Sequence, residues 1–127
     1  MLKSVFLAIL VSTTINTAAL AHHGLAAYDM SKSVTIKGVV TEFSFINPHT
    51  AIYLDVKDDK GNSEKWMVEA DSPNNLARAG WTRNTIKPGQ EISVVGNQMK
   101  DGSKILRLQK IILADGKDLK PREGNEY

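Results

Sequence analysis

The sequence predicts an all-β domain with one short helix, on three observations. Apolar and polar residues alternate in five short runs rich in valine, isoleucine and threonine, the period-2 pattern of half-buried strands. Glycine, proline, asparagine and aspartate separate the runs, where turns need a preset φ or a left-handed residue. Between the third and fourth runs, one stretch carries helix start and stop signals.

The first strand is expected over 33–45, where Val34, Ile36, Val40 and Phe43 mix with Thr35, Val39 and Thr41, and Gly38 marks a bend or bulge. Asn47-Pro48 punctuates a turn, since the residue before proline avoids the helical region. The second strand follows over 49–56. Lys57-Asp58-Asp59-Lys60-Gly61-Asn62 is a polar hairpin loop, and the third strand, 64–70, alternates Trp66, Val68 and Ala70 with Lys65, Met67 and Glu69. In the helix, Ser72 is the cap, Pro73 the first residue and Gly80 the left-handed stop, with Trp81 stapling its end to the core.

Lys87-Pro88-Gly89-Gln90 makes the next turn, the fourth strand covers 91–99, and Lys100-Asp101-Gly102-Ser103 turns into the fifth, 105–114. Neither face of the fifth strand is cleanly apolar, which predicts a bulge. Three strands, a helix, then two strands is the order of a small five-stranded OB-like barrel, with the helix plugging one end. An open sheet with the helix on one face is the alternative.

At the front of the chain, Lys3, the apolar run from Val5 to Val11, and the small residues Ala19 and Ala21 read as an export signal over 1–21. The apolar run is too short to span a bilayer. Its removal leaves 106 of the 127 residues, one domain over 22–116 with a polar tail, 117–127. The arm before the first strand is expected to lie across the barrel. Lys3 is the one charged residue discarded, so the net charge falls from +2 to +1. A near-neutral chain with mixed Lys and Glu lacks the footprint of a nucleic-acid binder. There is no cysteine, which excludes a lipoprotein anchor, thiolate metal sites and thiol catalysis. The expected address is the periplasm or the outside of the cell.

The mature chain resembles a family of small secreted bacterial proteins, domain of unknown function 6152, over His22 to Lys117. The motifs are Ala21-His22-His23 with Ala26-Ala27, Asn47-Pro48-His49 before Tyr53-Leu54-Asp55-Val56, Ser72-Pro73-Asn74, Gly80-Trp81-Thr82-Arg83, Lys87-Pro88-Gly89, Lys100-Asp101-Gly102 and Leu113-Ala114-Asp115-Gly116. Gly24-Leu25 and Thr50-Ala51 depart from it, standing where Ser-Phe and a pair containing tryptophan are usual. The resemblance implies a β-rich periplasmic domain and no activity.

All three histidines fall in the two motifs flanking the first strand. Cleavage after Ala21 would make His22 the first residue, offering its amino nitrogen and Nδ1, with His49 as a third nitrogen donor. That set is similar to the histidine brace of copper proteins, and amine and imidazole nitrogens suit Cu(II). A second mode uses His23, through the amine, the intervening amide and its imidazole. The expected metal ligands are thus His22, His23 and His49, with Asp29, Asp55 and Glu69 as candidates to orient them. The bland alternative is histidines that cap a turn or end a chain.

Met30, Met67 and Met99 are expected to fill the core rather than bind metal. Arg83 and Arg107 are expected to pack on the surface. Ser72 and Ser103 lack a histidine partner, and Asp58-Asp59 is a solvated loop, so no catalytic site is expected. The second functional reading is a non-catalytic OB-type module that meets a periplasmic protein or small ligand on a face near Trp66 and Tyr53.

Overall fold

The computed structural model describes residues 24–122, so the expected signal, His22 and His23 lie outside the described residues. Six strands form one sheet: β1 (Val34–Ser44), β2 (Ala51–Lys57), β3 (Ser63–Glu69), β4 (Glu91–Gln98), β5 (Ile105–Leu113) and β6 (Asp118–Leu119). The order is β3-β2-β1-β4-β5-β6. A parallel pairing of Met67–Glu69 with Ile105–Arg107 closes the first five into a barrel. The expected barrel is therefore the observed one, with a sixth strand added.

β1 serves both halves of the sheet, its N-terminal part pairing with β4 and its C-terminal part with β2. The register steps from Val40↔Leu54 to Glu42↔Tyr53, leaving Thr41 as the extra residue. The bulge is thus at Thr41, not at Gly38. Glycine is needed at 38 because a β-carbon there would meet the carbonyl oxygen of Asp55 at 2.5 Å. On β5 the expected bulge is present: pairing jumps from Val95↔Lys110 to Gly96↔Leu108, so Gln109 is extra. That step shifts the buried parity from Leu106 and Leu108 to Ile111 and explains the mixed faces.

Inside, Val40, Ile52, Leu54, Val68, Ile92, Val94, Leu106 and Ile111 pack as one core. Helix α1 (Pro73–Arg78) adds Leu76, which is fully buried. Ser72 Oγ accepts from the Asn75 amide at 3.4 Å, and Gly80 ends the helix at φ +88°. Trp81 then turns back, its amide on the Leu76 carbonyl at 3.0 Å and its ring tilted against Phe43 at 6.4 Å between centroids.

Residues 117–122, read from sequence as a polar tail, join the fold. β6 pairs with Ile111 and Ile112, Leu119 packs on the core, Pro121 is buried, and the Lys120 carbonyl accepts from Trp81 Nε1 at 2.9 Å. No helix among the described residues is long and apolar enough to cross a membrane.

Candidate functional site

Three residues stand opposite one another across three strands: Asn97 on β4, Arg107 on β5 and Glu69 on β3. Core-facing Val68, Leu106 and Leu108 flank them in sequence, so strand alternation puts this row on the outer face. Yet Asn97 is 1% exposed and Glu69 7%. The arm before β1 lies over them.

Short backbone links hold the arm. A 3-10 turn, Leu25–Ala27, leads to Tyr28, which bridges Met99. Asp29 donates its amide to the Gln98 carbonyl at 2.8 Å, and Lys100 donates to that of Ala27 at 2.9 Å. Asn97 Nδ2 donates to the carbonyls of Asp29 (3.2 Å) and Lys32 (2.8 Å), while its Oδ1 accepts from Gln109 Nε2 at 2.8 Å. Gln109, the bulged residue, in turn accepts from Ser33 Oγ at 2.9 Å. The arm thus crosses the barrel as expected.

Tyr28 reaches furthest under this cover, donating its hydroxyl to Glu69 Oε2 at 2.6 Å. Burial, that hydrogen bond and the Glu69 charge push the phenol well above its ordinary value, so it stays protonated and donating at neutral pH. The other oxygen, Oε1, faces His49 Nε2 at 3.9 Å and Arg107 Nη1 at 4.0 Å. Arg107 also pairs with Asp71, whose Oδ2 accepts from Arg122 Nε at 3.0 Å. Two buried carboxylates thus face two guanidinium groups. Arg107 is a half-buried ion-pair partner rather than surface packing, because β5 carries it opposite Glu69 and within reach of Asp71.

His49 ends the loop between β1 and β2, after the cis Asn47-Pro48 bond. Thr50 fixes its base: the Thr50 amide donates to the Asp71 carbonyl at 3.1 Å, and the Ala70 amide donates back to Thr50 at 2.8 Å. The imidazole is 38% exposed. Of the three carboxylates considered as its partner, Asp29 binds Ser31 and Asp55 pairs with Lys65. Of the three, Glu69 is the one that faces His49. No group of three His, Cys, Asp or Glu residues among those described is arranged to hold a metal ion, and His22 and His23 are not among them.

Other expected features disperse. Met30 is 51% exposed and Met67 pairs with Tyr53 on the outer face, so neither fills the core. Trp66 stands opposite Leu54 and packs on the core, whereas Tyr53, one residue along β2, faces out. They share no contact surface. Cavities of about 350 and 390 Å³ adjoin α1 and the 117–122 segment, lined by Arg78, Ala79 and Arg122 and by Trp81, Lys117 and Lys120, away from His49.

A model of a family of unknown function (DUF6152) matches residues 9–106. No curated protein matches the sequence. Among solved structures, the chain is similar to the mitochondrial single-stranded DNA binding protein Rim1 from S. cerevisiae, with 12% identity and a TM-score of 0.50 over 65% of this chain and 93% of that one. It is also similar to the ZRD-deleted mutant of TiaS in complex with agmatine, with 21% identity and a TM-score of 0.47 over 75% of this chain. The match spans 23% of that protein's length. At such identities the likeness to Rim1 is one of fold.

Proposed function

This chain belongs to the family of unknown function (DUF6152), and we propose that it is an exported periplasmic metal-binding β-barrel protein that holds copper through His22, His23 and His49. One observation carries the reading: the arm that follows His22-His23 and the turn that bears His49 meet on the same carboxylate, Tyr28 at Oε2 and His49 at Oε1 of Glu69. Along the chain His22 is six residues from Tyr28, a span of at most roughly 20 Å of extended backbone.

The donors are an amine and imidazoles, which favour Cu(II) among first-row divalent ions. The proposed work is binding rather than catalysis. The barrel's part is to hold arm and turn together.

Titrating Cu(II) by calorimetry into the mature chain starting at His22 tests this. One-to-one binding is expected, weakened at least roughly tenfold by one extra N-terminal alanine and by His49→Ala. Binding indifferent to both changes would refute it, and would favour the OB-type module for a protein partner or small ligand.

A further inference from the structure

The two cavities beside α1 share Ala79 and Arg122, so they form one groove between the end of the helix and the 117–122 segment. At about 350 and 390 Å³, each has the volume of a small-molecule site. Its walls are fixed. Gly80 turns the chain at φ +88°, Trp81 is 3% exposed, and Trp81 Nε1 holds the Lys120 carbonyl at 2.9 Å. On the other side, Leu119 packs on the core and Pro121 is buried.

The charge around the groove is one-sided. Arg78, Lys117, Lys120 and Arg122 line it against a single carboxylate, Asp118, which is already engaged by Lys110 Nζ at 3.2 Å. Counting also Asp71, which accepts from Arg122 Nε at 3.0 Å, four cations face two carboxylates. That excess of two equals the net charge of the whole chain. Arg78, Lys117 and Lys120 are exposed, and among the described residues no carboxylate lies within ion-pair distance of them. Helix capping does not account for them: the Leu76 carbonyl accepts from Ala79 and Trp81, and that of Ala77 from Gly80.

Cations gathered on a preformed groove attract an anion, and a guanidinium can bind carboxylate or phosphate through two hydrogen bonds at once. The two lobes meet at Arg122, one bearing Arg78 and the other Lys117 and Lys120, which suits two anionic groups on one molecule. We propose that this groove binds a small organic dianion, two carboxylate or phosphate groups joined by a short carbon spacer, with one group at Arg78 and Arg122 and the other at Lys117 and Lys120. Asp71 holds Arg122 in place from the barrel side, which lowers the ordering cost of binding. His49 lines neither cavity, so the site is independent of the metal-binding reading.

The experiment titrates succinate and phosphoglycolate into metal-free mature protein by calorimetry at low ionic strength, beside acetate and inorganic phosphate, while amide shifts locate the site. One-to-one binding of at least one dianion is expected, with acetate and inorganic phosphate at least about tenfold weaker. Shifts should centre on the groove, and affinity should fall as salt is added. Arg78→Gln and Lys120→Gln should each weaken the dianion at least about threefold. Lys57→Gln, which removes the same charge from the end of β2, should leave it unchanged. Acetate or inorganic phosphate binding as tightly as the dianions, or a loss shared by Lys57→Gln, would reduce the groove to a patch of charge and overturn the inference. Saturable binding of neither dianion overturns it as well, and uptake on phosphatidylglycerol vesicles in that case would assign the cations to a membrane surface.

Discussion

Replacing Asn97 with alanine removes three hydrogen bonds at once: two to the arm carbonyls of Asp29 and Lys32 and one from Gln109. At a net value of about 1 kcal/mol each, the sum is about 3 kcal/mol, reduced toward about 2 where water reaches the part-buried carbonyls. For a domain of this size that lowers Tm by roughly 8 to 24 °C. Asn97→Asp should do worse, because it keeps the acceptor for Gln109 but turns a carboxylate toward two carbonyl oxygens. Thermal unfolding measures the loss, and hydrogen exchange localises it. The amides of Asp29 and Lys100, which bind across the arm contact, should lose protection in the variant, while those of β2 keep theirs. A Tm within about 3 °C of wild type, with both amides still protected, would show that the arm is held by something other than Asn97.

Two further outcomes follow from single features. Gly38→Ala drives a β-carbon into the Asp55 carbonyl at 2.5 Å and the Val56 side chain at 2.9 Å, so urea denaturation should show a loss of about 1 to 3 kcal/mol; an unchanged midpoint would mean β1 and β2 separate freely there. Asp29, Asp58 and Glu64 all have folded pKa values below their ordinary ones, through hydrogen bonds from Ser31, from Asn62, and from Lys104 respectively. Their contribution is present above the unfolded carboxylate range and is lost as pH falls through the lower folded values, so urea midpoints should decline steadily on acidification below about pH 4.

The five long strands and the helix were legible because their signals are local: alternation in each run, Ser72-Pro73 opening the helix and Gly80 closing it. β6 was not, since Asp118-Leu119 is held by Ile111, Ile112 and, through Lys120, by Trp81, 39 residues away from its acceptor. At the site, His49 stood out as one of three histidines, and Glu69 was one of three carboxylates weighed for it. Tyr28 gave no sign, because its contact with Glu69 spans 41 residues and exists only once the arm has crossed the barrel. For the same reason Arg107 read as a surface residue: strand alternation does put it on the outer row, where its ion pairs leave it half-buried.

The arm's anchors lie almost entirely in the last third of the chain: Asn97, Gln98, Met99, Lys100 and Gln109. The segment before β1 is thus seated by contacts 65 to 76 residues apart, whose closure entropy must be met before they stabilise anything. A chain stalled or cut before β4 has strands but no seat for its N-terminal arm. Seating of the arm therefore reports that the whole barrel has been completed.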